Sequence, residues 1–272
     1  MQSVRYTLFG LLGLFLAATI PLVRGEIAGT LGGDFSIDNH GAANYSIALL
    51  TPPGRAGIAP ALSINYNSSG GNGPLGLGFS ISTGFPQAIT RGRSILARDG
   101  VVRGVEFSSN DKFYLDGKRL ICVSGTYGGD NSVYRTEVDS FVVITADADS
   151  NGNIITFTMK TKDGKIMTFG KLGSTSDAYH RAPSWVTSSG SLGDGALDSK
   201  AYQYALKEVK DTVGNYLTLT YVTSNNGEYQ ISRIDYTGNI SGSVAPIQSI
   251  VFAYDINGQR LDQPARYMGG AG

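Results

Sequence analysis

The chain has one cysteine, two histidines, one tryptophan and four methionines among 272 residues. A lone cysteine, Cys122, excludes an internal disulfide framework, and its place in the apolar run RLICV reads as a small buried side chain. His40 and His180 supply little material for general-base chemistry, and no G-x-S-x-G elbow is present. His40 reads as a turn residue and His180, between Tyr179 and Arg181, as part of an exposed loop. Basic and acidic residues cancel at 22 each with no basic run, so the electrostatic footprint of a nucleic-acid binder is missing. No segment holds a helical period over three turns. The best candidate, residues 201–210, alternates Tyr202, Tyr204 and Leu206 against Gln203 and Ala205, which is a strand pattern.

What is abundant is glycine, at 37 residues, together with 15 tyrosines. That balance suits many short strands joined by tight turns, and the apolar fraction is ample for a core. Strands are expected at residues 45–50, 61–66, 101–107, 119–123, 141–146, 154–160, 165–169, 202–209, 216–222, 229–235 and 247–254. In several of them bulky apolar groups take one face, as with Leu217, Leu219 and Tyr221 opposite Tyr216, Thr218 and Thr220. The Gly/Ser-rich stretch 184–199, with Trp185 near its start, reads as a long loop. The expected class is all-β: short antiparallel strands and hairpins.

The first 25 residues stand apart. Arg5 precedes an apolar run, residues 6–23, interrupted by Gly10, Gly13 and Pro21 and followed by Val23-Arg24-Gly25, a signal-peptidase-like site. Residues 1–25 are therefore read as a cleaved secretory signal, with residues 26–272 as the exported domain, secreted and without a membrane span. Loss of Arg5 and Arg24 leaves 20 basic against 22 acidic residues.

The most constrained stretch is residues 52–79, PPGRAGIAPALSINYNSSGGNGPLGLGF. Two Gly/Pro-rich corners bracket a strand in which Leu62, Ile64 and Tyr66 share one face and Ser63 and Asn65 the other. Residues 71–76 spell G-x-G-x-x-G, but Pro74 removes an amide that should face phosphate and no helix follows, so this is a turn. Arg55 is the best functional candidate in the stretch; its plainer role is a guanidinium tying carbonyls across the turn. Asp147, Asp149 and Asn151 before Gly152 match the opening of a calcium loop, although Thr158 stands where a bidentate Glu would close it; a hairpin turn is the alternative. No other cofactor is suggested. The pattern Asp-x-x-Gly-Asn/Gln recurs at 149–153, 211–215, 235–239 and 255–259, each a good tight turn.

The run GAANYSIALLTPPGRAGIAPALSINYNSSGGNGPLGLGF, residues 41–79, resembles the N-terminal signature of the SpvB family, the module that opens Salmonella plasmid virulence protein B and the B subunits of insecticidal toxin complexes. The residues carrying the resemblance are Pro53, Gly54, Arg55, Gly57, Tyr66, Asn67, Gly73, Pro74, Leu75, Gly76 and Gly78, while Phe79 stands where the family has Trp. TRGRSI and DKFYLDGKRLI extend it more weakly, and the Asp-Gly turns between Tyr-rich strands, with the dipeptide Tyr254-Asp255, resemble YD/Rhs repeats. The resemblance implies an Rhs-like curved β-sheet shell segment that encloses or presents a toxic effector, without enzymatic activity. Its partners would be other toxin-complex subunits or the rest of a longer YD/Rhs polypeptide, of which residues 26–272 would be an incomplete opening piece. The alternative is a stand-alone extracellular binding or adhesin-like β domain.

Overall fold

The computed structural model describes residues 32–73, 75–108, 110–172, 179–181, 201–223 and 229–254. The expected signal segment, the 184–199 loop with Trp185, and the 255–259 turn lie outside them. Among the described residues the regular structure is nearly all strand, with one four-residue helix, α1 (Leu96–Asp99).

The first sheet has the order β1 (Asp34–Ile37), β2 (Ala43–Ala48), β3 (Ser63–Asn67), β6 (Phe79–Ser82), all antiparallel; β4 (Asn72–Gly73) and β5 (Gly76–Leu77) form a small ribbon beside it. Its register sorts side chains by chemistry. Phe35, Tyr45, Tyr66 and Phe79 line up across the four strands, and Ile47, Ile64 and Ile81 form the next row on that face. The other face is a lattice of Asn and Ser, where the Ser46 hydroxyl donates to Asn65 Oδ1 at 2.7 Å and Asn67 Nδ2 donates to Asn44 Oδ1 at 2.7 Å. The alternation of residues 62–66 thus predicts the faces correctly, and the period of two sets the register.

The second sheet curves until it closes. β7 (Ala88–Gly92), β8 (Lys112–Leu115), β9 (Lys118–Ser124), β10 (Val133–Thr136), β11 (Val143–Ala148), β12 (Ile154–Lys160) and β13 (Ile166–Gly170) follow one another as antiparallel neighbours. The ten-residue strand β15 (Ala201–Lys210) joins the two ends: residues 203–205 pair with β7 and residues 206–210 with β13, making a ring of eight strands. β14 (Tyr179–Arg181) also pairs with the first half of β15. The second half continues into β16 (Asn215–Thr223), β17 (Tyr229–Asn239) and β18 (Gln248–Val251). Ring closure satisfies backbone groups that an open sheet leaves unpaired.

Side chains fill the ring, as expected for a barrel of this size. Phe113 meets Phe157 edge to face at 5.0 Å, and Phe157 meets Tyr204 at 4.9 Å, so rings from β8, β12 and β15 touch across the interior. Ile89, Leu120, Ile144, Ile154, Phe169 and Leu206 are fully buried around them. The Tyr204 hydroxyl donates to the Ile154 carbonyl at 3.0 Å, so its polar end is not stranded.

Four hairpins share one turn. At 149–153 the Asp149 amide donates to the Asn153 carbonyl and the Gly152 amide to the Asp149 carbonyl, both at 2.9 Å, while Asp149 Oδ1 accepts the amides of Asn151 and Asn153. Residues 211–215 and 38–42 repeat this pattern; residues 161–165 repeat its backbone bonds, with Thr161 in place of the aspartate and its hydroxyl accepting the Lys165 amide. The glycine has φ between 77° and 89° in all four, the left-handed region that makes it the favoured residue. The expected turn at 235–239 is absent: those residues lie inside β17, paired with β16 through Asn239, and Thr237 forms a bulge. The expected strand at 101–107 is also absent, carrying only the Ser94–Arg103 bridge, whereas β7, β8 and β10 are strands that their charged residues conceal. Cys122 is half-buried rather than buried and its Sγ lies 3.2 Å from the Ser124 carbonyl oxygen. His180 sits on β14, not in a loop.

The short helix α1 is fastened to the barrel by charge. Asp99 takes both Nη atoms of Arg119, with Nη1 to Oδ2 at 2.9 Å, and accepts the Ile95 amide at 2.8 Å; Arg98 pairs with Glu137. The bidentate guanidinium holds the Asp99 carboxyl at about 2, below its ordinary 3.8. A carboxylate held low contributes stability that is complete above its unfolded value and disappears as pH falls through the folded one. The melting temperature of Asp99→Asn should therefore lie below that of the parent chain at neutral pH, with the gap closing between about pH 4 and 2; a gap independent of pH would contradict this.

Candidate functional site

The residues of the constrained stretch 52–79 act on structure. Residues 55–58 make a two-residue turn with Ala56 at φ 48° and Gly57 at φ 78°, closed by the Ile58 amide donating to the Arg55 carbonyl at 2.8 Å. Both central residues are left-handed, as a type I′ turn requires. Gly54 lies beneath this turn, where a Cβ would overlap the Ile58 carbonyl oxygen. At the second corner Asn67 is the hub: its amide donates to the Gly78 carbonyl at 2.9 Å, its carbonyl accepts the Gly70 amide at 2.9 Å, and its Oδ1 accepts the Ser69 amide at 2.8 Å. Gly78 (φ 81°) has no room for a side chain between Asn67 and the Tyr66 ring. Gly73 and Gly76 pair across the β4–β5 ribbon, so the G-x-G-x-x-G spelling is a turn here. Leu75 is exposed and Pro53 likewise, while Pro74 lies outside the described residues.

Arg55 does tie carbonyls, but not within its own turn. Its Nε donates to the Thr237 carbonyl at 2.7 Å, and beside it the Tyr236 hydroxyl donates to the Pro52 carbonyl at 3.2 Å. Both bonds join this loop to β17 over more than 180 residues of chain. Ile58 and Leu62 belong to the same buried cluster as Leu217, Leu219, Ile234 and Tyr236, so the loop shares the core of β16 and β17. No single-sequence signal reveals such a partner.

The calcium-loop candidates resolve into strand and turn. Asp147 lies on β11, where partial desolvation together with the nearby Asp130 raises its carboxyl above the ordinary value. Asp149 points Oδ1 at the amides of its own turn, which lowers its carboxyl, and Asn151 is exposed at the turn's tip. Among the described residues no three His, Cys, Asp or Glu side chains gather as a metal would need. His40 donates its amide to Asp38 Oδ1 at 2.9 Å and is exposed, which fits a turn residue.

Sequence reasoning missed the charged pair inside the barrel. Arg91 and Asp111 face inward at one end, with side chains 8% and 1% exposed and Nη1 to Oδ2 at 3.4 Å. The Arg91 guanidinium lies over the Phe113 ring, 5.1 Å from its centre, and its Nε donates to the Ala201 carbonyl at 2.8 Å. Asp111 Oδ1 accepts the Glu106 amide at 2.8 Å and Oδ2 accepts the Ser108 amide at 3.2 Å, so this carboxylate shapes the loop above the barrel. The alternation of Ile89 with Arg91, and of Asp111 with Phe113 and Leu115, is the one signal that could have found the pair.

Residues 37–124 match the family described as SpvB, Salmonella virulence plasmid 65kDa B protein. Among solved structures, TcdB2-TccC3 superposes with a TM-score of 0.61 at 20% identity over 86% of this chain and 12% of that one. The N-terminal domain of the effector protein SpvB from Salmonella typhimurium strain LT2 gives 0.50 at 21%, over 70% of this chain and 64% of that one. The Tc holotoxin pore of Photorhabdus luminescens gives 0.53 at 18%, over 75% and 10%. At these identities the likeness establishes a shared fold, of which this chain spans about an eighth of the TcdB2-TccC3 length. No curated protein matches the sequence at a significant level.

Glycines whose Cβ would strike backbone should tolerate alanine far worse than those covered by a movable ring. Gly54→Ala and Gly73→Ala, against the Ile58 and Phe79 carbonyls, should each cost about 3 kcal/mol. Gly92→Ala, against the half-exposed ring of Tyr114, should cost about 1 kcal/mol. Urea denaturation of the three variants decides, and equal losses would contradict the geometry.

Proposed function

We propose that the chain is a structural module of a secreted toxin complex, a segment of β-sheet wall that associates with other subunits and carries out no chemistry itself. The observation that carries this reading is the match of residues 37–124 to the SpvB family combined with a fold shared with TcdB2-TccC3 over 86% of the chain. The architecture supports it. The barrel interior is packed with aromatic and aliphatic side chains, and the residues of the family resemblance act as turns and ties. β18, QSIV, is the last described strand of the large sheet; it has no charged residue, and Val251 is 65% exposed. An uncharged edge strand is a template for a further strand, whether from the rest of a longer polypeptide or from another subunit. No helix among the described residues is long and apolar enough to cross a membrane.

A stand-alone extracellular binding domain is the second reading, and ring closure favours it: eight strands pair without help from another chain. The two readings part on assembly. Tagged chain recovered from the culture fluid of the producing organism should sediment with toxin-complex subunits, and β17–β18 should resist protease only in that assembly. A resistant monomer in the culture fluid would favour the second reading, and retention in the cytoplasm would refute both.

A further inference from the structure

Between β7 and β8 the chain leaves the barrel at Gly92 and returns at Lys112, and these two residues are partners in the ladder. The excursion therefore adds no strand to the ring, and it starts and ends at one place. Inside it residues 94–103 form a lobe that closes on itself. The Ser94 amide donates to the Arg103 carbonyl at 3.1 Å, α1 lies between them, and Gly104 follows, where a Cβ would meet nothing. Apolar burial does not hold this lobe down. α1 has no buried residue, Leu96, Val101 and Val102 are exposed, and Ile95 is half-buried and outside the core cluster. Polar contacts do the fastening. The Ser94 hydroxyl donates to the Asn110 carbonyl at 3.2 Å, Arg103 pairs with Glu106 at 3.7 Å, and Arg98 pairs with the partly exposed Glu137. Only Asp99–Arg119 is secluded, with side chains 11% and 9% exposed, and it ties the lobe to β9. Arg119 depends on that partner: its Nε is sealed from solvent with no hydrogen bond among the described residues, and both Nη atoms go to Asp99.

We propose that residues 94–103 are a strap that lifts as a unit while the barrel stays closed, with Asp99–Arg119 as its latch. Lifting it uncovers little apolar surface and breaks no rung of the barrel ladder, so the hydrophobic effect scarcely opposes the motion. The pair of charges does oppose it. While both are present, the closed strap keeps a bidentate pair out of water. With either charge removed, the same closed strap seals the other one without a partner, which is a strongly unfavourable burial. Lifting returns the orphaned group to water, and the open state then wins. Arg98–Glu137 is more exposed, and a pair of that kind contributes too little to hold the strap alone. Once lifted, the single turn of α1 has no stability of its own and melts. This end of the barrel thus has two discrete states set by one carboxylate and one guanidinium, the kind of element whose balance a binding partner shifts.

The test follows amide hydrogen exchange at neutral pH in the full chain and in two variants, Asp99→Asn and Arg119→Met. In both, the amides of Arg98 and Gly100, bonded within α1, should lose protection together by about tenfold or more, while those of Ile89, Phe113 and Leu120 in the barrel strands keep theirs. The second variant separates a latch from a cap, because it leaves the Ile95 amide its Asp99 acceptor. Should neither variant fold, the parent chain in rising urea decides: the strap amides should exchange through an opening more frequent than that of the barrel and nearly insensitive to urea. Unchanged strap protection in either variant, an equal loss in β8 and β9, or strap and barrel amides exchanging through one shared opening in the parent would overturn the proposal.

Discussion

The seam between residues 52–62 and β17 is the constraint on which the rest of the structure depends. The Arg55 guanidinium on the Thr237 carbonyl and the Tyr236 hydroxyl on the Pro52 carbonyl join the start of the described chain to its end. Closing so long a loop is entropically costly, though the cost grows only with the logarithm of length, so two charged or polar bonds plus buried Ile58 and Leu62 suffice to hold it. Thr237 shows the accommodation. It is a β-branched residue at φ 75°, a bulge opposite Tyr216 and Leu217, and the bulge frees its carbonyl from the ladder for Arg55. The first sheet, whose apolar face still exposes Phe35 and Ile37, reaches the core through this seam.

The unusual composition finds a common cause in the strands. Tyr45 lies over Gly33, Tyr66 over Gly78, Tyr114 over Gly92, Tyr204 against Gly170 and Tyr216 over Gly238. In each case a flat ring covers backbone that a side chain would otherwise protect, as aromatic residues do for glycines in sheets. Glycine thus serves twice, in turns and under tyrosines, and neither helix propensity nor a large aliphatic supply is needed.

Local rules made much of this legible. The Asp-x-x-Gly turns at 149–153 and 211–215 and the alternation of residues 62–66 and 216–222 rest on short-range geometry, and they appear as read. Relaxing the first and last turn positions would also have found 38–42 and 161–165. Long-range choices were not legible. The residues at 235–239 satisfy the turn pattern, yet pairing with β16 overrides it, and residues 101–107 have strand propensity but no partner strand. β7 and β8 carry Arg91 and border Asp111, charges that read as solvent-facing until a barrel interior pairs them. The partner of Arg55 lies 182 residues away, beyond any pattern in one sequence. The pattern shared with the SpvB family marked the seam's residues without revealing what they hold.

Amide hydrogen exchange on the full chain, compared between the parent and Arg55→Ala, tests the seam most directly. If residues 52–62 hold the large sheet, protection should fall by at least tenfold together in β17, around Tyr236 and Thr237, and in β2–β3, while the barrel strands β10–β12 keep theirs. Loss confined to residues 52–58, with β17 as protected as before, would mean that the loop decorates a sheet already stable on its own and would contradict the account.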